Sequence, residues 1–216
     1  MVKVKICGIT NFEDAKRSSE YGADLLGFIF VKGTPRHIEP DEAVGIIDRV
    51  KKRYPKVGMV ALFKDERLET VKQFLSGQRF DHVQLHGTES PEYCMSVAGS
   101  APVGVMKVFK VDRAIVPNGG NYPEDYKNAD YFVFDTYHPE RDGGTGLRFD
   151  WDALNDLSED VRGRTFVAGG LDPDNVADAV RAVAPYGVDT SSGVEKQPGK
   201  KDATLLKEFI ENAKNT

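Results

Sequence analysis

The chain has 216 residues, of which 29% are charged and 40% are hydrophobic, as in ordinary soluble globular proteins. Acidic side chains outnumber basic ones by 34 to 29, and this balance disfavours binding to nucleic acid while still allowing a local basic pocket. No apolar run is long enough to span a membrane, and the apolar N-terminal stretch is too short for a signal peptide. Two cysteines, Cys7 and Cys94, exclude a disulfide framework, and no C-x-x-C or H-x-x-x-H spacing suggests a metal site. We therefore expect a reduced, cytoplasmic protein without membrane association.

Eight short apolar and β-branched runs alternate with polar stretches of helical periodicity. The runs are Val2–Ile6, Asp24–Phe30, Val57–Leu62, His82–Leu85, Val103–Phe109, Tyr131–Asp135, Thr165–Ala168 and Gly187–Thr190. This alternation predicts a parallel sheet of the α/β class, and eight units predict closure into a (β/α)₈ TIM barrel. The competing doubly wound open sheet usually has five or six strands and often opens with G-x-G-x-x-G, which is absent. Because no linker or composition break interrupts the pattern, we expect residues 1–216 to form a single catalytic domain.

Capping residues predict where several helices begin and end. Asn11 is placed to cap a first helix that Gly22 would end. A proline at the expected first helical position marks further starts, at Pro40, at Ser90-Pro91 and at Asp172-Pro173. A closing amphipathic helix is expected over Asp202–Lys214, whereas residues 110–130 contain two prolines and two glycines and predict a short or irregular helix.

The first strand carries polar side chains on one face. Because side chains alternate, Lys3, Lys5 and Cys7 should point into the barrel, with the intervening aliphatic side chains meeting the helices. Active sites of such barrels lie at the carboxyl ends of the strands, where Cys7 stands. A nearby ammonium group lowers the pKa of a thiol, so Cys7 is placed for acid–base chemistry, although most free cysteines only fill space. Cys94 lies within a predicted helix and is expected to pack.

Asp135 ends the sixth strand, directly after apolar residues. A carboxyl group in this position is partly desolvated, which should raise its pKa as a general acid requires. The alternative role is a helix cap or a hydrogen bond within the loop. Cys7 and Asp135 would lie on opposite sides of the barrel mouth and together could move protons on a small substrate.

The remaining candidate residues predict ligand binding at the same end of the barrel. Gly169 and Gly170 follow the seventh strand, and Ser191, Ser192 and Gly193 follow the eighth, where barrels often bind phosphate through backbone N–H groups. Arg36, after the second strand, suits a planar carboxylate. His86, after the fourth, either donates to a ligand or bonds to the loop backbone. Gly143–Gly146, after the sixth, is interpreted as a lid or as a flexible connection.

Several motifs resemble those of phosphoribosylanthranilate isomerases, in family order from residue 3 to residue 202. The opening Lys5–Thr10 and the segment Asp189–Glu195 are the specific ones. The others are Gly22–Asp24, Gly27–Phe30, Thr34–Arg36, Val83–Gly87, Phe134–Thr136, Gly143–Gly146, Ala168–Leu171 and Pro198–Asp202. Three positions depart from the family pattern. Thr34 and His37 stand where serine and tyrosine are common, and both keep the ability to hydrogen-bond. Gly143 stands where lysine or another residue is frequent, which affects only the proposed lid.

The resemblance implies a TIM barrel that isomerises N-(5-phosphoribosyl)anthranilate to 1-(2-carboxyphenylamino)-1-deoxyribulose 5-phosphate in tryptophan biosynthesis. This Amadori rearrangement needs no metal or nucleotide cofactor. By motif, Asp135 resembles the general acid that opens the ribose ring and Cys7 the general base that removes the C2 proton. Arg36 would hold the anthranilate carboxylate, and His86 would contact the substrate. The backbone of Gly169, Gly170, Ser192 and Gly193 would hold the phosphate beside Ser191.

Two other functions stay open from the sequence alone. A related barrel that rearranges an aminoimidazole ribonucleotide of the histidine pathway would be expected to have aspartate where Cys7 stands. A non-catalytic barrel that binds phosphosugars would bind the ligand without forming product. In each case the partner is a small phosphorylated molecule rather than nucleic acid or a membrane, and the chain is expected to be a monomer or a homodimer.

Overall fold

The computed structural model describes residues 1–77, 79–112, 114–136 and 150–216. Eight parallel strands close into a barrel in chain order, with β1 paired to β8 across the seam. The strands are β1 Lys3–Ile6, β2 Leu25–Ile29, β3 Gly58–Phe63, β4 His82–Leu85, β5 Gly104–Val111, β6 Tyr131–Thr136, β7 Thr165–Val167 and β8 Gly187–Thr190. The predicted (β/α)₈ barrel is confirmed, and each strand lies within two residues of its predicted bounds.

The helices that cover the barrel are α1 Phe12–Tyr21, α2 Pro40–Arg53, α3 Leu68–Ser76, α4 Pro91–Ala98, α5 Glu159–Arg162, α6 Val176–Val183 and α7 Ala203–Lys214. The Asn11 side chain accepts a hydrogen bond from the Asp14 N–H, and Gly22 ends α1 at φ 102°, as predicted. Ser90 caps α4 in the same way, and Asp202 caps α7.

Two connections interrupt the regular alternation. Between β5 and β6 the described residues form only a 3₁₀ turn, Pro123–Asp125, as the prolines and glycines there predict. The helix predicted to begin at Pro173 begins instead at Val176. The Asp172 side chain accepts hydrogen bonds from the N–H groups of Asp174 and Asn175, and this turn delays the helix.

Side-chain alternation divides the core into two layers. Val4 and Ile6 of β1 pack in the outer layer between strands and helices, whereas Lys5 points into the barrel and is fully buried. The apolar residues inside the barrel are Leu25, Val60, Met106, Val108, Val133, Phe166 and Ala168. The predicted orientation of the first strand is therefore confirmed. None of the helices in the described part of the chain is long and apolar enough to cross a membrane.

Candidate active site

A cavity of about 480 Å³ opens at the carboxyl ends of the strands. The residues predicted from the sequence that line it are Cys7, Arg36, His86, Asp135, Gly169, Gly170, Ser191 and Ser192. Gly193 lies one residue further on, in the 3₁₀ turn Ser192–Val194. The predicted lid Gly143–Gly146 falls outside the described residues. The fold thus brings residues from six strand ends to one space.

Cys7 follows β1 and is buried beside a lysine–aspartate pair. Lys5 Nζ lies 2.8 Å from Asp189 Oδ2, and both side chains point into the barrel next to the thiol. Gly27 makes room for the sulfur, since a Cβ there would lie only 2.8 Å from Cys7 Sγ. Burial raises the pKa of the Cys7 thiol, and Asp189 adds to this, while the ammonium groups of Lys5 and Lys201 only partly oppose it. The expected lowering of this pKa is wrong because burial outweighs the lysines.

Asp135, at the end of β6, is held by two basic groups. Lys110 Nζ lies 2.6 Å from its Oδ2, and His86 Nε2 lies 3.3 Å from the same oxygen. Burial acts to raise the pKa of Asp135, but the hydrogen bond from His86 and the charge of Lys110 outweigh it and hold the pKa well below its usual range. The expected rise is therefore wrong, and the side chain is a carboxylate at neutral pH.

The His86 side chain faces the cavity and belongs to the cluster around Asp135. Its Nδ1 lies 3.2 Å from the side-chain amide of Gln84, and its Nε2 lies 3.1 Å from Lys110 Nζ. The backbone N–H of His86 donates to the carbonyl of Phe63 at the end of β3, which continues the pairing of β3 with β4. Of the two roles open from the sequence, the geometry favours contact with a ligand.

Arg36 reaches the opposite side of the cavity and is held by Glu195. Its Nε and Nη2 bond to the two carboxylate oxygens at 2.9 and 2.7 Å, and Nη1 is not used in this pairing. The buried Lys201 ammonium also bonds to Glu195, at 2.9 Å, and to the carbonyls of Cys7 and Ser191. Lys201 thereby connects the backbone of Cys7, the backbone of Ser191 and the carboxylate of Glu195.

The loops after β7 and β8 lie against each other and expose backbone N–H groups. Gly169 and Gly170 have φ of 80° and 69°, a left-handed conformation that favours glycine. The Thr190 hydroxyl donates to the Leu171 carbonyl at 2.7 Å, which joins the two loops. Within the described part of the chain, the N–H groups of Gly170, Ser192 and Gly193 donate no hydrogen bond. Such a group of free donors suits an anion.

Several polar residues in and around the site were not identified as site residues from the sequence, among them Lys110, Asp189, Glu195 and Lys201. The first two could have been found, because each is a charged residue at an inward position of an apolar strand. Glu195 and Lys201 lie in the hairpin of β9 Glu195–Gln197 and β10 Lys200–Lys201, whose contacts with Arg36 and the Cys7 backbone depend on long-range packing. Among the described residues, no three His, Cys, Asp or Glu side chains form a group that could hold a metal ion.

The fold and the cavity define a (β/α)₈-barrel protein in which a thiol, a carboxylate and two loops with free backbone N–H groups share one cavity at the carboxyl ends of the strands. The sequence of residues 4–212 matches the family model described as N-(5'-phosphoribosyl)anthranilate (PRA) isomerase. The chain belongs to this family.

Relatives and solved structures agree with this membership. The N-(5'-phosphoribosyl)anthranilate isomerase of Geobacter sp. strain M21 is 47% identical over 214 residues, which cover 99% of this chain and 98% of the relative. The phosphoribosyl anthranilate isomerase of Thermotoga maritima is 37% identical, with a TM-score of 0.85 and full coverage of both chains. A phosphoribosyl anthranilate isomerase structure in complex with reduced 1-(o-carboxyphenylamino)-1-deoxyribulose 5-phosphate is 36% identical, with a TM-score of 0.81 and full coverage of both chains.

Proposed function

We propose that this protein converts N-(5-phosphoribosyl)anthranilate to 1-(2-carboxyphenylamino)-1-deoxyribulose 5-phosphate by general acid–base catalysis, as a step of tryptophan biosynthesis. The observation that carries the proposal is that Cys7, Asp135, Arg36 and the glycine-rich loops line one cavity. The activity is the one named for its family and relatives.

Asp135 acts first, as the acid. It protonates the ribose ring oxygen, the C1–O bond breaks, and the nitrogen lone pair forms a Schiff base at C1. The C2–H bond becomes acidic only when this iminium stands beside it. The acid step must therefore precede the base step on the same substrate molecule.

Cys7 acts second, as the base. Its thiolate removes the proton from C2, and the electrons of that bond neutralise the iminium to give an enolamine, which then tautomerises to the ketone. Each proton transfer contributes typically about 10²–10⁴-fold to the rate. Acid and base act from different strands, β6 and β1, on a sugar held between them.

The two ends of the substrate match the two sides of the cavity. Arg36 offers Nη1 to the anthranilate carboxylate, while Glu195 holds the rest of the guanidinium in place. The N–H groups of Gly170, Ser192 and Gly193 receive the phosphate, with Gly169 shaping the turn and Ser191 beside it. Two buried acceptors that line the cavity, Gln84 Oε1 and Asp189 Oδ1, have no hydrogen-bond partner in the described chain and suit sugar hydroxyl groups.

A fluorescence assay tests the proposal. The labile substrate is generated in place from anthranilate and phosphoribosyl pyrophosphate by the preceding transferase, and its anthranilate-type fluorescence is followed. We expect rapid loss of fluorescence with the wild type and almost none with Cys7→Ser. Turnover of an aminoimidazole ribonucleotide instead would favour the histidine-pathway reaction, and binding without product would favour a phosphosugar-binding barrel.

Three further expectations accompany the proposed function. We infer that residues 1–216 act as one catalytic domain, because the strands of the barrel are contributed from residue 3 to residue 190 and α7 packs against β1. We also infer a cytoplasmic location, where a biosynthetic enzyme with free thiols would work. The oligomeric state, monomer or homodimer, stays a prediction; one solved Thermotoga maritima relative is described as monomers generated from a dimeric isomerase.

A further inference from the structure

A lysine and a glutamate of the β9–β10 hairpin form a buried ion pair beside the cavity. Lys201 Nζ lies 2.9 Å from Glu195 Oε1, and the two side chains are 0% and 4% exposed. Lys201 and Glu195 are cross-strand partners in the antiparallel register of the hairpin. Neither residue lines the cavity, so any effect of the pair on a ligand must pass through a neighbour that does.

That neighbour is Arg36. It donates to the two carboxylate oxygens of Glu195, from Nε at 2.9 Å and from Nη2 at 2.7 Å. Burial acts to raise the pKa of Glu195, but the hydrogen bond from Arg36 and the charge of Lys201 outweigh it, so the carboxyl group is ionised. Arg36 and Glu195 taken together therefore have no net charge. A carboxylate that approached Nη1 of this pair alone would meet a dipole rather than a free cation.

Lys201 adds a positive charge to this pair. Its Nζ lies 2.6 Å from the Cys7 carbonyl oxygen, 3.0 Å from the Ser191 carbonyl oxygen and 2.9 Å from Glu195 Oε1. All three oxygens are acceptors, and only an ammonium has three N–H groups to donate to them. Burial lowers the pKa of Lys201, and the negative charge of Glu195 opposes this shift. The three contacts identify the side chain as an ammonium, so Arg36, Glu195 and Lys201 together carry one positive charge.

The hairpin holds this charge at a fixed place. The backbone N–H of Lys201 donates to Asp14 Oδ2 of α1 at 2.9 Å. Gly199, between the two hairpin strands, has φ of 78°, and a Cβ there would lie only 2.7 Å from the carbonyl oxygen of Pro35. Because Pro35 precedes Arg36, the turn of the hairpin packs directly against the segment that carries the arginine.

We propose that Lys201 is a positioning residue that gives Arg36 its net attraction for the carboxylate of the substrate. This role rests on the proposed binding of the anthranilate carboxylate by Arg36. Glu195 orients the guanidinium and cancels its charge, and Lys201 compensates Glu195, so that one positive charge remains for the ligand. The preference for an aromatic amine that carries a carboxyl group thus depends on a residue that does not touch the ligand.

Two ligands that differ only in the carboxyl group measure this attraction. One is the reduced form of the proposed product, in which a hydroxyl group replaces the ketone, and the other is the same compound without its carboxyl group. Isothermal titration calorimetry gives both dissociation constants. We define the carboxylate preference as the Kd of the carboxyl-free ligand divided by the Kd of the carboxyl-bearing one. A disturbance of the backbone at Cys7 or Ser191 would weaken both ligands and leave this ratio unchanged.

Substitutions in the hairpin vary the net charge. In Lys201→Met the charge falls to zero, so we expect the carboxylate preference to fall at least about tenfold, with the Kd of the carboxyl-free ligand changed by no more than about threefold. The Glu195→Gln, Lys201→Met double variant leaves Arg36 as the one charge of the three. Its carboxylate preference should recover to within about threefold of the wild type. The matched control is Lys196→Met, at an exposed position of the same hairpin, which should behave as the wild type.

The results separate this role from the proposed function. No binding of either ligand by the folded wild type would refute the function, and equal affinity for both would refute the role of Arg36 and that of Lys201 with it. A wild-type preference that persists in Lys201→Met, or that stays low in the double variant, would refute only the role of Lys201.

Thermal unfolding shows whether each variant is folded, and Glu195→Gln alone keeps the test decisive if Lys201→Met is not. This variant gains a positive charge, and its amide oxygen can still accept from Arg36. We expect a carboxylate preference no lower than that of the wild type. A fall of about tenfold would show that the orientation given by Glu195, and not the net charge, sets the preference.

Discussion

In the free protein the pKa of Cys7 is raised and the pKa of Asp135 is lowered. These shifts are the reverse of what a catalytic base and a catalytic acid need. Burial keeps Cys7 protonated, and Lys110 and His86 keep Asp135 ionised. We propose that the bound substrate reverses both conditions in turn. Its anionic groups raise the pKa of Asp135, and the iminium formed by ring opening lowers the pKa of the thiol beside it. On this proposal, the protonation states that the two catalytic steps need arise in the order in which the reaction uses them.

Alkylation of Cys7 measures this resting state. In a Cys94→Ser background, the rate of reaction with iodoacetamide should rise about tenfold per pH unit from pH 7 to beyond about pH 9, because the thiolate fraction grows while the pH is below a raised pKa. The Cys7→Ser, Cys94→Ser double variant corrects for other sites. A rate that levels off at or below about pH 8 would show that the pKa is not raised.

At the scale of elements, the turns after β7 and β8 are shaped by glycines that tolerate no side chain. A Cβ on Gly193 would overlap the carbonyl of Leu171, and one on Gly169 would overlap the backbone of Thr136. The first contact is between the two proposed phosphate loops, so their spacing depends on the absence of a side chain. Lys201 ties the same region to the backbone of Cys7.

Gly193→Ala should therefore act on substrate binding. We expect KM to rise at least about tenfold with a smaller change in kcat, since displacement of the loop by a fraction of an ångström weakens phosphate contacts. Gly45→Ala, within α2 and with nothing near its added Cβ, is the matched control and should leave both constants unchanged. An unchanged KM for folded Gly193→Ala would argue against a phosphate site at this turn.

At the scale of the whole molecule, barrel closure and site assembly are the same event. The seam between β1 and β8 pairs Lys5 with Asp189, whose side chains form a buried ion pair beside Cys7. Removing one partner of such a pair typically costs about 3–5 kcal/mol, because the other charge stays buried. Cys7 and the serine segment follow the two strands of this seam, so neither is in place until the barrel closes.

Features that depend on local periodicity could be predicted from the sequence, whereas features that depend on contacts between strands could not. Alternating strands and helices predict the barrel, and the inward face of β1 predicts where Cys7 points, because these depend on local periodicity. The two pKa directions were wrong because they depend on neighbours from other strands. The contact of Lys110 with Asp135 requires the β5–β6 register, and the burial of Cys7 requires the whole barrel.

In the proposed function, Cys7 and Asp135 perform the chemistry while other residues bind the substrate. Single-turnover fluorescence decay at increasing enzyme concentration separates the two in one experiment. For Cys7→Ser and Asp135→Asn we predict a half-saturating concentration within about threefold of the wild type and a limiting rate about 10²–10⁴-fold lower. A limiting rate within about tenfold of the wild type in either folded variant would contradict the role assigned to that residue.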